Sequence, residues 1–276
     1  MPPQGKTILI TGATDGVGKG VALLAAKDGA RVLVHGRDRA KAEAVADEVR
    51  AAGADGVEVY IADLASLDEV RALATAVLAG ESRLDVLVNN AGICLFGGGG
   101  RELSDDGHEL HFQVNYLAPF LLTLQLLPLI RASAPARIVN VSSIGQSPID
   151  FEDVMLEQTY SGMQGYTQSK LAQVMFTFDL SEQLKGSGVT VTALHPATFM
   201  DTKMVTGQGF APRSRVEDGV AATWRLASSP DVEGQTGVFY NQLSLGRAND
   251  QAYDVKARRE LWNLSLRLAG LHAAAV

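Results

Sequence analysis

Short apolar runs alternate with helix-patterned stretches along almost the whole chain, and this alternation leaves few folds open. The runs are Lys6 to Ile10, Arg31 to His35, Val57 to Ile61, Asp85 to Val88, Ala136 to Val141, Val189 to Leu194 and Gly237 to Asn241. Helical patterns cover Val21 to Lys27, about Arg39 to Ala52, Ser66 to Ala79 (Ser66 as N-cap, Glu69 completing a capping box), about Ser104 to Arg131, a stretch reaching about Lys185, and Val216 to Ala227. An amphipathic helix is expected over about 251–269. With no linker or internal repeat, the pattern predicts one α/β domain over residues 1–276, its core at about 5–245, built on a sheet of about seven parallel strands flanked by helices. Right-handed crossovers and a switch point between the first and fourth strands direct ligands to the strand C-termini.

The first strand runs into Thr11-Gly12-Ala13-Thr14-Asp15-Gly16-Val17-Gly18-Lys19-Gly20, and a helix follows. Glycines allow a tight turn and close backbone approach, and the helix N-terminus then faces an anion such as a pyrophosphate. A nucleoside-triphosphate P-loop is excluded, because Ala13 and Gly20 stand where it needs Gly and Ser or Thr. The spacing Gly12, Gly16, Gly18 also differs from G-x-G-x-x-G, although a doubly wound Rossmann fold remains the reading of the whole. At the end of the second strand, where an acid often binds a ribose 2′-hydroxyl, the chain has Gly36 and then Arg37. A guanidinium suits a 2′-phosphate. The expected cofactor is therefore NADP, with NAD usable and Asp38 weakening the preference if it turns inward.

Tyr166 and Lys170 stand four apart in an apolar-periodic stretch, so they share one helix face. A cation beside a phenol favours phenolate, and such a Tyr can exchange protons with an alcohol or carbonyl. His108 and His111 have helical metal-ligand spacing, but no carboxylate or Cys arrangement supports a site, so no metal is expected. A net charge of −7 gives no footprint for nucleic acid or anionic membrane. The single cysteine, Cys94, fits a reducing compartment and reads as an inert thiol. The N-terminus has no signal-peptide pattern, and the apolar run Leu117 to Ile130 is too short to span a bilayer. A cytoplasmic protein without a membrane anchor is expected.

Thr11-Gly12-x-x-x-Gly16-x-Gly18, Asn89-Asn90-Ala91-Gly92, Asn115, Ser143 and Tyr166-x-x-x-Lys170 resemble, in order and spacing, the short-chain dehydrogenase/reductase family. Val114-Asn115-Tyr116-Leu117-Ala118-Pro119, the run to His195-Pro196-Ala197-Thr198 and the long insertion before Tyr166 look most like its retinol dehydrogenase-like branch. The resemblance implies that Tyr166 is the acid/base, that Lys170 lowers its pKa and binds nicotinamide ribose hydroxyls, and that Ser143 bonds the substrate oxygen. It also implies that Asn115 holds a water in a relay to Lys170. Gly12, Gly16 and Gly18 would admit the pyrophosphate, beside Thr14, Asp15 and Val17. Asp63 and Leu64 would meet adenine, Asn89 the adenosine side, and Ala91 and Gly92 the cofactor beyond it. Ser142 is the alternative to Ser143, since a one-residue strand shift exchanges faces. Pro196-Ala197 replaces the family's usual Pro-Gly, and Thr198 competes with Thr202 for a cofactor contact.

The segment Thr198 to Arg215, with Phe199, Met200, Met204 and Phe210, reads as a lid over an apolar alcohol, aldehyde or ketone. Gly97 to Gly100 reads as a flexible loop. Homo-oligomers are compatible with this reading. The alternatives are a dinucleotide-binding redox sensor, or an epimerase or dehydratase on the same fold.

Overall fold

The structure is a computed structural model that describes residues 4–96 and 100–271. The glycines at 97–99 therefore lie outside the described residues. Seven strands are parallel: β1 Thr7–Ile10, β2 Arg31–Gly36, β3 Val57–Ile61, β4 Val86–Asn89, β5 Ala136–Val141, β6 Val189–His195 and β7 Val238–Asn241. An eighth, β8 Ser244–Leu245, adds one antiparallel hairpin to the sheet expected from sequence. The spatial order is β3-β2-β1-β4-β5-β6-β7-β8. The chain reverses its winding between β1 and β4, so a crevice opens at their C-terminal ends.

Both faces of the sheet are buried, as parallel sheets require. Alternate side chains of each strand feed opposite layers. Leu9, Leu33 and Leu87 join the cluster under α3 Leu67–Gly80, α4 Ala118–Ala132, α5 Gly162–Gln183 and α8 Val255–Leu268. Ile8, Ile10, Val32, Val34, Val86 and Val88 join the cluster under α1 Gly16–Lys27, α2 Arg39–Ala51 and α7 Val216–Ser228. Trp262 of α8 stacks on Phe176 and meets Phe120 edge-on, and Trp224 packs against the second cluster, so both tryptophans are packing residues.

The helix expected from Ser104 begins instead at Leu110, because residues 103–109 form a bridge and turn closed by Ser104 N–H on the His108 carbonyl. It winds as a π-helix over Phe112–Leu117 before becoming α4, and Asn115 lies in that widened turn. Phe112–Ala132 is the one helix among the described residues long and apolar enough to cross a membrane, and most of it is buried in this fold. The segment from Ile144 to Tyr160 has no helix or strand. It is pinned to the 249–251 turn through Ile149 N–H on Gln251 Oε1 and Asn249 N–H on Gln146 Oε1. Helix α5 starts at Gly162, within the stretch to Gly165 that reads as loop in the sequence, with Ser161 as its cap.

Candidate active site

One cavity of about 640 Å³ runs along the strand C-termini, within the size range of small-molecule sites. Its walls include the glycine turn, the ends of β2 to β6, the N-terminal part of α5 and the lid.

The glycine turn is held open from below. Thr11 Oγ1 accepts the N–H groups of Asn90 and Ala91, each at 3.0 Å, and Asn90 Nδ2 donates to the carbonyls of Thr11 and Gly12. His35 Nδ1 accepts Gly12 N–H at 3.2 Å, which leaves Nε2 to donate to the Ala62 carbonyl. Burial pushes His35 down to about 4, partly offset by that carbonyl, so the ring is neutral. Gly12 and Gly16 have φ of +63° and +51°, and a Cβ on Gly12 would meet Ala91 Cα at 2.8 Å. These two glycines make a cradle facing the cavity at the N-terminus of α1.

Two sequence expectations change here. Gly18 is absent from the cavity wall. A Cβ there would fall 2.3 Å from the Gly12 carbonyl oxygen, so this glycine lets α1 pack on the turn rather than admitting a ligand. Asn89 also faces away, because its side chain is buried and Nδ2 donates to Thr123 Oγ1 and Asn140 Oδ1. Its neighbour Asn90 takes the cavity-facing place, since successive residues leave a strand end on opposite sides.

Thr14, Asp15, Val17, Arg37, Asp63 and Leu64 line the end of the cavity at β1 to β3. Gly36 has no Cβ, and one would meet Thr14 Cγ2 at 2.4 Å. Asp38 turns away to cap α2, accepting Lys41 N–H at 3.1 Å. Arg37 is largely exposed and lies 3.8 Å from Asp63. A cation from the lid meets the glycine turn: Lys203 Nζ is 3.2 Å from Asp15 Oδ2. Burial acts to raise Asp15, yet the Gly16 N–H and Lys203 hold its carboxyl below the usual range.

At the other end Gly92, Ser143, Tyr166, Lys170 and Thr198 line the wall, while Ala91 and Thr202 line it beside the glycine turn. The two serines differ in surroundings: Ser142 Oγ donates to the Lys170 carbonyl, whereas Ser143 Oγ accepts the Gly145 N–H and stands near enough to the Tyr166 hydroxyl to favour its ionised form. Lys170 Nζ donates to the Val141 carbonyl at 3.0 Å and to Gln173 Oε1 at 3.1 Å. Burial raises Tyr166 to about 12, against the lowering pull of the Ser143 side chain, and lowers Lys170 to about 8. The expected depression of the phenol by Lys170 does not set the direction here: burial raises the phenol and the Ser143 side chain is what opposes it. Asn115 braces Ile93 against α5. Its Oδ1 accepts Ile93 N–H, and Nδ2 donates to the Ile93 carbonyl and to Ser169 Oγ.

Thr198 Oγ1 bonds His195 Nε2 at 2.9 Å, and Thr202 rests against Gly16. The lid closes with Phe199 and Phe210 stacked at 5.1 Å, Phe210 on Phe96 and Phe96 edge-on to Tyr166. Cys94 lines the wall with its thiol pushed up to about 12 by burial. His35, Gln173 and Lys203 were not singled out in sequence, and Asn90 only as part of the Asn89 to Gly92 motif. Their signal was proximity to a residue that was singled out, Gln173 by one helical turn from Lys170.

A dinucleotide fits this arrangement: a glycine cradle at a helix N-terminus, a guanidinium at one end of the cavity, and a hydroxyl, phenol and ammonium at the other. The short chain dehydrogenase family model matches residues 6–209. Retinol dehydrogenase 14 of Mus musculus is 38% identical, over 97% of this chain and 87% of its own length. Retinol dehydrogenase 13 of Homo sapiens is 37% identical, over 99% and 87%. Among solved structures, a putative uncharacterized protein from Mycobacterium Paratuberculosis superposes with a TM-score of 0.79 at 32% identity, covering 98% of this chain and 95% of its own. The Pseudomonas aeruginosa RhlG/NADP active-site complex gives 0.71 at 29%, covering 87% and 97%. With matches spanning nearly its whole length, the chain belongs to the short-chain dehydrogenase/reductase family, in its retinol dehydrogenase-like branch, and is a nicotinamide-dependent oxidoreductase.

Proposed function

We propose that this protein is a cytoplasmic, NADP(H)-preferring oxidoreductase of apolar alcohols, aldehydes and ketones, with Tyr166 as its acid/base. The observation that carries the reading is the meeting of Tyr166, Ser143 and Lys170 on the wall of one apolar-lidded cavity whose far end is a glycine cradle. The bound nicotinamide supplies or accepts the hydride.

The rest is the work of this chain. Ser143 Oγ, on the cavity wall near the Tyr166 hydroxyl, marks where a substrate oxygen sits. Tyr166 donates its proton to that oxygen as a carbonyl becomes an alcohol, and takes it back in reverse. The phenol is the stable form at rest, which suits a donor. The Lys170 ammonium stabilises the phenolate left behind. Gln173 and the Val141 carbonyl fix that ammonium, and Asn115 keeps Ile93 against the helix that carries it. Gly12 and Gly16 admit the pyrophosphate, Arg37 reads the 2′-phosphate, and Asp63 and Leu64 flank the adenine. Phe199 and Phe210 exclude water and select apolar substrates.

The test is to follow NADPH and NADH oxidation against a panel of aldehydes, ketones and quinones, with product analysis. Alcohol product in step with NADPH loss supports the reading. Cofactor binding without turnover across the panel, or a redox-neutral product, contradicts it.

A further inference from the structure

Glu109 and His111 are fully buried next to Tyr166. Glu109 stands just before Leu110, the first helical residue, and caps the helix: Phe112 N–H donates to Oε2 at 2.8 Å. Its other oxygen, Oε1, is 2.7 Å from His111 Nδ1. Leu95 N–H donates to His111 Nε2 at 3.0 Å. That bond fixes the tautomer. Nε2 is the acceptor, so Nδ1 carries the proton and donates to the carboxylate. The imidazole is neutral, and the carboxylate's charge faces the partial positive charge of the helix N-terminus.

Two contacts tie the pair to Tyr166. The residue before it, Gly165, rests directly on the pair: a Cβ there would lie 2.8 Å from Glu109 Oε1 and 2.9 Å from His111 Nδ1. The His111 ring also meets the Tyr166 ring edge-on, with centroids 6.4 Å apart. A second edge-on ring, Phe96, lies 5.4 Å from Tyr166 and follows Leu95 in the chain. The Leu95 bond therefore ties the segment that carries one ring to the other ring.

We infer that Glu109 and His111 are positioning residues for Tyr166: the carboxylate sets the imidazole tautomer, and the imidazole fixes both the 95–96 segment and the start of α5 around the phenol. This rests on Tyr166 being the proton donor of the proposed reaction. The isosteric Glu109→Gln variant isolates the tautomer. A carboxamide has one acceptor oxygen, which Phe112 N–H needs, so its NH₂ must face Nδ1. The imidazole proton then moves to Nε2 and opposes the Leu95 N–H, with no loss of packed volume. His111→Gln keeps an acceptor for Leu95, whereas His111→Ala keeps none.

The experiment combines ¹⁵N-histidine NMR of the wild type and Glu109→Gln with kcat, KM and cofactor Kd for all three variants. The wild type should show His111 protonated on Nδ1, and Glu109→Gln should show it on Nε2. Turnover in Glu109→Gln and His111→Ala should fall about 10- to 100-fold, as for a catalytic group displaced by about 1 Å, with cofactor Kd unchanged. His111→Gln should retain most of kcat. An Nε2-protonated His111 in the wild type, wild-type kcat in Glu109→Gln, equal losses in His111→Gln and His111→Ala, or losses that follow cofactor affinity would each overturn the inference. The NMR arm needs no substrate, so a wild-type protein inactive on every substrate counts against the proposed reaction, while the tautomer is decided separately.

Discussion

Lys170 Nζ stands 5.8 Å from the centre of the Tyr166 ring, and its hydrogen bonds go to the Val141 carbonyl and Gln173 rather than to the phenol oxygen. The pair therefore communicates through the field of the ammonium. Both groups are shifted toward their neutral forms by burial, so the site rests as phenol and weakly held ammonium.

That state predicts a pH limit. Lys170, lowered to about 8, loses its charge as pH rises through that value. The kcat/KM for carbonyl reduction, which reports the free enzyme, should fall above about pH 8, and Lys170→Met should lose this limb along with most activity. The stability effect has the opposite sign. Between about 8 and the ordinary 10.5 the unfolded chain holds the proton that the folded chain has released, so this group's contribution to stability rises with pH. Denaturant titrations of the wild type and Lys170→Met across that window check it: a wild-type stability that does not gain on the variant contradicts the assignment.

Arg37 predicts cofactor choice. Asp38 is engaged in capping α2, and Gly36 presents no carboxylate, so no acid from the end of β2 repels a 2′-phosphate. Arg37 is largely exposed and already near Asp63, which keeps the gain modest. NADPH should be preferred by about tenfold, and Arg37→Ala should remove that preference while leaving NADH binding almost unchanged. Titrating both cofactors into both proteins decides it. Equal losses for the two cofactors would rule out reading of the 2′-phosphate.

Gly18→Ala tests the revised role of that glycine. Its new methyl meets the Gly12 carbonyl and Asn90 Nδ2, so α1 must shift from the turn. Overpacking of this kind costs about 1–3 kcal/mol. The melting temperature and cofactor affinity should fall together. A variant of unchanged stability that binds less cofactor would restore Gly18 to the ligand wall.

Much of this was legible in the sequence because strand alternation and glycine spacing are local signals. The seven parallel strands followed from the alternation, and the placing of Tyr166 and Lys170 on one helix from their i,i+4 spacing. What was not legible depends on tertiary contact. Asn89 and Asn90 differ only in which side of a strand end they leave, and the register decides that. Gly16 and Gly18 look alike until α1 is packed on the turn. The sign of the Tyr166 shift turns on how completely the 93–96 segment and the lid desolvate the phenol, and no i,i+4 spacing contains that. His111 stood in a metal-like spacing with His108, but in the fold the two separate: His108 bonds Gln113 and His111 bonds Glu109 and Leu95.

The lid should set substrate size. Phe210 bridges the Phe199 stack to Phe96, and Phe96 touches Tyr166. Phe210→Ala should raise KM for bulky apolar carbonyls about tenfold or more, the scale of one lost buried aromatic contact, with cofactor Kd unchanged. A KM that rises equally for acetaldehyde-sized and bulky substrates would show that Phe210 does not line the substrate path.

The most direct measurement is kcat of Tyr166→Phe, taken together with its NADPH Kd. The variant removes one oxygen and leaves the ring between Phe96 and His111 in place. A general acid/base contributes about 100- to 10,000-fold. We expect kcat to fall by that factor with Kd nearly unchanged. Turnover close to wild type would remove Tyr166 from the chemistry and contradict the account.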